Sequence, residues 1–191
     1  MKQFKKGLIL GRFQMLHKGH EYIIDKALDL CEEVLVFIGS SDKSNTIENP
    51  FDYETRKSMI ELVYGDKIKV APLPDLGVGN VPAWGEYVLE NAIKTNGFPD
   101  CIVHGIEAKC DTWFSDEIRQ KITFIKVDRG DIKINASTLR QYMYDNEYDK
   151  WKEFVNPLLH KYYSMLRILL MKSYIEPTKP KIEFIDNDEQ N

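Results

Sequence analysis

Two histidines three residues apart, His17 and His20, lie in the stretch GRFQMLHKGH near the start of the chain. A strand ending near Phe13 and a helix beginning near Lys18 would put both imidazoles one turn apart at the helix N-terminus. That end of a helix carries free backbone N–H groups and the positive pole of the helix dipole, and both favour anions. Gly19 between the histidines would let a bulky group approach the backbone closely. The stretch therefore predicts a site for a polyphosphate.

A metal site and simple helix capping are the alternative interpretations of the histidine pair. Metal binding needs further ligands, but Glu21 is the only acidic residue close by, and on a helix it should point elsewhere. We therefore expect no protein metal ligand in this stretch. Capping or local hydrogen bonding by both imidazoles stays open as the interpretation that involves no ligand.

The composition favours a protein that binds small molecules rather than nucleic acid. The chain has 191 residues and a formal net charge of −4, which does not suit a broad phosphate-binding face. Its length predicts one domain over residues 1–175, followed by a polar tail over residues 176–191. The spacing of Cys31, Cys101 and Cys110 supports neither a disulfide framework nor a zinc site. We find no signal-peptide core and no segment of membrane-spanning length, and so expect a cytoplasmic protein.

Short apolar runs alternate along the chain with segments of helical spacing. The runs are residues 7–10, 33–39, 67–71, 100–104 and 122–127. Such alternation is typical of βαβ units with buried parallel strands. It predicts an α/β fold, a Rossmann-like doubly wound sheet of about five parallel strands, with further helices after the last strand. Ligands of such folds bind at the carboxyl ends of the strands, where the histidine pair is predicted to lie.

Four segments in a fixed order carry a resemblance to a known family. The first, GRFQ-x-x-H-x-G-H, resembles the signature of the HxGH nucleotidyltransferase superfamily. Its GRFQ form is most similar to nicotinamide-mononucleotide adenylyltransferases of the archaeal and bacterial NadM (NadR-like) type. The others are GSSDKSNTIENPFDYETR (39–56), GNVPAW (79–84) and INASTLRQYM (134–143). Met15 and Asn45 depart from the usual pattern, which has Pro and His at those positions.

The resemblance implies transfer of AMP from ATP to nicotinamide mononucleotide (NMN), or to its nicotinate form. The products would be NAD, or its acid form, and pyrophosphate. The attacking phosphate is already ionised at neutral pH, so the reaction needs alignment and charge neutralisation rather than a general base. Mg²⁺ is expected to bridge phosphate oxygens, held mainly by substrate and water.

The resemblance also assigns roles to individual residues. The catalytic group would be His17, His20, Arg12 and Arg140. The ATP-binding residues would be Gly11, Phe13, Gln14, Lys18, Gly19, Asn135 and Ser137. The mononucleotide-binding residues would be Gly39, Ser40, Arg56, Asn80 and Trp84. A structural role for Arg56 beside an acidic neighbour, and a core role for Trp84, stay open as alternatives.

Other functions remain compatible with the same histidine motif. A cytidylyltransferase, a phosphopantetheine adenylyltransferase and an FAD synthetase would share it, and so would a nucleotide-sensing regulator that catalyses poorly. The GRFQ form, the NPF-x-x-x-TR stretch and the pair Asn80 and Trp84 favour a mononucleotide with a flat pyridinium ring. The sequence does not decide between its amide and acid forms. Aromatic residues near the C-terminus predict a homo-oligomer, with small molecules rather than nucleic acid or membrane as the other partners.

Overall fold

The computed structural model describes residues 1–79, 81–108 and 110–175. The strands are β1 (Phe4–Gly11), β2 (Cys31–Gly39), β3 (Lys69–Leu73), β4 (Cys101–Gly105) and β5 (Thr123–Val127). The helices are α1 (Lys18–Leu30), α2 (Tyr53–Tyr64), α3 (Pro82–Asn96), α4 (Asp116–Arg119), α5 (Ala136–Tyr144), α6 (Tyr148–Lys152) and α7 (Tyr163–Ile175). The predicted tail, residues 176–191, lies outside the described residues.

The five strands form one sheet in the order β3-β2-β1-β4-β5, and every neighbouring pair is parallel. Central Leu8 pairs with Leu35 on one side and Ile102 on the other. The prediction of a Rossmann-like doubly wound sheet with helices after the last strand is therefore confirmed. The strand order reverses beside β1, and this reversal opens a crevice at its carboxyl end.

Side chains of the strands alternate between two apolar cores, one on each face of the sheet. Ile9 belongs to the larger core, which α1, α2, α5 and α7 cover, whereas Leu8 belongs to the smaller core beneath α3. Both faces of the sheet are thus buried, which explains why its strands appear as nearly continuous apolar runs. Within the described part of the chain, no helix has the length and apolar character needed to cross a membrane.

The helix starts follow from local sequence. Asp52 precedes α2, and its carboxylate accepts a hydrogen bond from the Thr55 N–H at 2.8 Å. Asn135 caps α5 in the same way, by accepting from the Thr138 N–H at 2.8 Å. Caps of this kind satisfy backbone donors that have no partner within the helix. They fix where α2 and α5 begin, and therefore which residues face the end of β1.

Candidate active site

His17 is the N-cap of α1. Its Nδ1 accepts hydrogen bonds from the backbone N–H groups of Gly19 at 3.1 Å and His20 at 3.3 Å, and the residue is 2% exposed. The Lys18 N–H donates to the Phe154 carbonyl at 2.8 Å. The prediction of free N–H groups at this helix end was therefore wrong, because the chain itself satisfies the donors of the first turn. Any anion at this corner must be met chiefly by side chains.

The two imidazoles form a stack at the start of α1. The ring centroids of His17 and His20 lie 3.7 Å apart with an interplanar angle of 24°, and the Phe13 ring lies 4.7 Å from His20. Burial and, secondarily, the charge of Arg129 lower the pKa of His17 to about 4. Burial, then the charges of His17 and Arg129, hold the pKa of His20 well below its usual range. Both rings are therefore neutral at pH 7.

A large cavity of about 840 Å³ opens at the carboxyl ends of β1 and β4. Five of the predicted site residues line it: Gly11, Arg12, Phe13, His20 and Asn135. His17 is not among its lining residues and lies behind His20 instead. The backbone of Phe13 has a φ of 50°, a region that few non-glycine residues adopt. A Cβ at Gly11 would come within 2.9 Å of the Phe13 ring, so this tight turn requires glycine.

Four charged residues of the large cavity were missed by the sequence interpretation: Glu107, Asp128, Arg129 and Lys133. They come from the segments that follow β4 and β5, and no motif marked them. Arg129 Nη1 donates to the Ile134 carbonyl at 3.3 Å, and Nη2 pairs with Glu107 Oε1. A Cβ added at Gly19 would lie 2.6 Å from Arg129 Nη1. The space beside Gly19 is thus occupied by the Arg129 guanidinium of the chain itself, and Gly19 is not among the residues that line the large cavity.

Arg140 of α5 reaches back to the turn after β1. Its Nη1 donates to the Gln14 carbonyl at 2.7 Å, and its Nη2 donates to the Ser137 hydroxyl at 3.3 Å. Burial, then the nearby charge of Arg12, lower the pKa of Arg140. Arg140 is therefore placed beside the end of β1 by a contact across the fold. Neither Arg140 nor Ser137 lines the large cavity.

Gln14 and Lys18 occupy positions that differ from the predicted ATP contact. Gln14 is 2% exposed, and its amide pairs with both backbone groups of Phe51 at 3.0 Å. It thereby ties the turn after β1 to the start of α2. Lys18 is exposed on α1, and neither residue is among those that line the large cavity.

A smaller cavity of about 340 Å³ lies on the other side of the β1 end, towards β2. Its lining includes Gly39, Ser40 and Trp84, three of the residues expected to bind the mononucleotide, together with Asp75 and Trp113, which were missed. The ring centroids of Trp84 and Trp113 are 6.5 Å apart at 73°. Trp84 thus combines partial burial with a place in the cavity wall. Asn80, the other residue predicted here, lies outside the described residues.

Arg56 of α2 is completely buried below the small cavity and lines neither cavity. Its guanidinium donates to four backbone carbonyls, those of Arg12, Gly39, Ser40 and Asp52, at 2.9 to 3.1 Å. These bonds fix the ends of β1 and β2 against each other. The geometry thus gives Arg56 a role in shaping the walls of the cavity. Its hydrogen bonds go to carbonyls, one of them that of Asp52, whose charge also acts on the guanidinium.

The two departures from the family pattern have local physical explanations. The Met15 side chain is fully buried, and its sulfur accepts a hydrogen bond from Trp151 Nε1 at 3.1 Å. Asn45 has a φ of 52°, and asparagine tolerates this left-handed conformation better than most residues. Both residues fit the backbone that surrounds them.

The two cavities share Leu10, Gly11 and Arg12. Two ligands bound in them would therefore meet at the carboxyl end of β1, beside the Arg12 guanidinium. Together with the sheet order, this arrangement defines the protein as a Rossmann-like α/β protein with two adjoining cavities at its topological switch point. The chain belongs to the cytidylyltransferase-like family, whose sequence profile matches residues 8–179.

Relatives named nicotinamide-nucleotide adenylyltransferase match the chain over a shorter segment. The protein of Saccharolobus solfataricus is 36% identical over 89 residues, which are 44% of this chain and 51% of the relative. The protein of Pyrococcus furiosus is 34% identical over 91 residues, or 44% of this chain and 47% of the relative. The chain thus matches about half the length of these relatives.

Solved structures support the same fold. A bifunctional NMN adenylyltransferase/ADP-ribose pyrophosphatase of Francisella tularensis, complexed with AMP and a manganese ion, has a TM-score of 0.68 and is 25% identical. The similarity covers 90% of this chain and 53% of that one. A putative nicotinate-nucleotide adenylyltransferase of Vibrio parahaemolyticus has a TM-score of 0.58 at 16% identity, covering 86% of this chain and 99% of that one.

Proposed function

We propose that this protein transfers AMP from ATP to nicotinamide mononucleotide, or to the nicotinate form, and releases pyrophosphate. The observation that carries the proposal is the pair of cavities that meet at the end of β1, one containing His20 and the other the two tryptophans. Two nucleotides bound in this way would bring their phosphates together. The names of the similar proteins in Saccharolobus solfataricus and Francisella tularensis agree with this reaction.

ATP would occupy the large cavity, and the pyridinium ring would lie against Trp84 and Trp113 in the small one. A phosphate oxygen of the mononucleotide then attacks the α-phosphorus in line. The bond from that phosphorus to the β-phosphate oxygen breaks, and pyrophosphate carries the electron pair away. Since the attacking phosphate is already ionised, the protein's contribution is alignment and neutralisation of charge.

The side chains would divide this work by position. His20 faces the triphosphate as a neutral hydrogen-bond donor, and His17 holds its ring by stacking and by capping α1. Arg12, shared by both cavities, neutralises the phosphates where they meet. Arg140 and Ser137 lie outside the large cavity, at the turn after β1, and would bind the phosphates as they leave. Arg56 would contribute indirectly, by holding the carbonyls of Gly39 and Ser40, two residues that line the small cavity.

A divalent cation, Mg²⁺ in our proposal, would enter with the nucleotide and neutralise phosphate oxygens. In the described residues, no group of three or more His, Cys, Asp or Glu side chains could hold such an ion alone. The carboxylates in the large cavity are engaged already, Glu107 with Arg129 and Asp128 with the Gly130 N–H at 2.9 Å. The donor set therefore fits an ion bound mainly by phosphate and water.

We also propose that the protein is cytoplasmic, in keeping with its three cysteines, which are all thiols, and that it forms a homo-oligomer. The oligomer is supported by the exposed apolar surface on α7, where Met165, Ile168 and Ile175 are 51%, 69% and 74% exposed. Light scattering coupled to size-exclusion chromatography would test this, and a monomer at micromolar concentration would refute it.

The reaction is tested by pyrophosphate release with ATP or CTP against NMN, nicotinate mononucleotide, phosphopantetheine and FMN. We expect turnover with ATP and one or both pyridine mononucleotides. Turnover with CTP alone, or with FMN or phosphopantetheine alone, would refute the proposal.

His20→Ala should lower kcat by about 100-fold or more, the scale of losing one preorganised transition-state donor. Thermal unfolding of the variant would show that the fold is retained.

A further inference from the structure

Arg129 lies over the N-terminus of α1 although it is more than a hundred residues away in sequence. Its side chain is 19% exposed, and its guanidinium is held from two sides, by the Ile134 carbonyl and by Glu107. Gly19 leaves the space that the guanidinium occupies, since a Cβ there would lie 2.6 Å from Nη1. Arg129 also lines the large cavity together with His20. A charged group is thus fixed beside the histidines by two contacts, in a space that Gly19 leaves open.

The electrostatic character of the large cavity differs from that of the chain. The whole chain carries a formal net charge of −4. Among the described residues that line the cavity, three side chains are cationic, Arg12, Arg129 and Lys133, and two are anionic, Glu107 and Asp128. Arg129 is the cation whose charge reaches both imidazoles, because it lowers the pKa of each. The charge of Arg129 therefore acts on both imidazoles from the wall of the large cavity.

The first backbone N–H groups of α1 are not free to bind an anion. The N–H groups of Lys18, Gly19 and His20 are bonded within the chain. A guanidinium has five N–H donors in a planar fork, and the contacts with Ile134 and Glu107 account for two of them. Its geometry matches phosphate oxygens, which it can bind through two hydrogen bonds at once. Arg129 is thus equipped to replace the helix terminus as the anion-binding group.

We propose that Arg129 contacts the triphosphate of the bound nucleotide, and that Glu107 is a positioning residue that holds the guanidinium over Gly19. This inference rests on the proposed function, since it places a nucleoside triphosphate in the large cavity. It adds a phosphate-binding residue outside the motifs that the sequence revealed. It also explains why the position between the two histidines is a glycine.

Binding measurements without turnover test the phosphate contact. Isothermal titration of wild type, Arg129→Ala and Arg129→Lys would use three probes: ATP, inorganic tripolyphosphate and adenosine. Losing a charge-assisted bidentate contact should raise the Kd of Arg129→Ala for ATP and tripolyphosphate about 10- to 100-fold. Arg129→Lys should fall between, because an ammonium cannot form the fork. Adenosine has no phosphate, so its Kd should stay within about twofold of wild type.

Arg119→Ala is the matched control, because it removes the same charge from the surface helix α4, where Arg119 pairs with Asp116. Its affinities should match those of the wild type. Two results would overturn the phosphate contact: unchanged ATP and tripolyphosphate affinity in Arg129→Ala, or an equal loss for adenosine. The second result would mean that Arg129 merely shapes the cavity.

Glu107→Gln tests the positioning role separately. If the carboxylate holds the guanidinium in place, its loss should raise the Kd for ATP about threefold, with adenosine unchanged. A lower Kd in Glu107→Gln would instead show that the carboxylate competes with phosphate, and would overturn this part of the proposal. Wild type that binds ATP but releases no pyrophosphate with any mononucleotide would refute the proposed function and leave the Arg129 contact standing. Normal turnover by wild type together with normal ATP binding by Arg129→Ala would refute the Arg129 contact and leave the proposed function standing.

Discussion

The His17→Asn substitution should make the protein less sensitive to mild acid. The imidazole of His17 is 2% exposed and accepts two backbone N–H bonds through Nδ1, so its protonation would break the cap of α1. Asparagine is also a good N-cap residue, because its side-chain oxygen can accept from the same backbone donors. The substitution therefore removes the titrating group while retaining a cap.

The size of the effect follows from proton linkage. The pKa of His17 is about 4 in the folded protein, against 6.5 for an unperturbed histidine, so the unfolded chain binds the proton first as the pH falls. Stability is therefore fully present above pH 6.5 and is lost as the pH falls from about 6.5 towards 4. Between pH 7.5 and 5.0 this group alone should lower the free energy of unfolding by about 2 kcal/mol. His20 changes stability in the same direction, and the two groups are coupled, because the charge of His17 helps to lower the pKa of His20.

Urea unfolding of wild type and His17→Asn at pH 7.5 and pH 5.0 measures the difference. The decrease in the free energy of unfolding between the two pH values should be about 2 kcal/mol smaller in the variant. Any pH-independent change in stability caused by the substitution cancels in this comparison. His160→Asn removes an imidazole that bonds to the Val155 carbonyl in the C-terminal half, and controls for the histidine count. Equal losses in wild type and His17→Asn would refute the reasoning, because they would show that burial of this imidazole is not linked to folding.

Substitutions at three positions test the surroundings of the small cavity. Gly85→Ala should destabilise the fold by about 3 kcal/mol in urea, because the new Cβ would lie 2.0 Å from the Trp113 carbonyl oxygen; a loss below about 1 kcal/mol would contradict this packing. Arg56→Ala should lower the free energy of unfolding by at least about 3 kcal/mol, because four carbonyls lose their donor, and Arg56→Lys should recover only part of this loss. Wild-type stability in either variant would contradict the role of Arg56 in joining the ends of β1 and β2. Trp84→Ala should raise the KM for the mononucleotide about tenfold without changing the KM for ATP, whereas the KM values of Trp84→Phe should stay near those of wild type. Equal changes in KM for both substrates would exclude a stacking role.

The sheet was predictable from the sequence because its causes are local. The alternation of short apolar runs specifies strands that are buried on both faces. The position of the histidine pair at a strand-to-helix turn follows from the same local pattern. The type of helix in the C-terminal region was harder to predict from the sequence. Residues 157–162 form a 3₁₀ segment before α7, a difference in helix type that the expectation of further helices after the last strand did not include.

The roles of several site residues depend on partners that are distant in sequence. Arg56 donates to the Arg12 carbonyl, and Arg140 donates to the Gln14 carbonyl from 126 positions away. A motif shows that such a residue is present, but not whether its donors face a ligand or a carbonyl. Gln14 is the clearest example, because its amide is engaged with Phe51 rather than with a cavity.

The sequence by itself determined the doubly wound sheet, the turn that bears His17 and His20, and the edge of the sheet at which a ligand would bind. These properties follow from periodicity, capping and turn chemistry, which act over a few residues. Only the tertiary structure decided that His17 lies behind His20, that the helix N–H groups are already bonded, and that Arg129 lies over Gly19. The physical reason is the strand order, because β4 and β5 lie on the far side of β1 and carry Glu107 and Arg129 to a corner that local sequence does not connect to them.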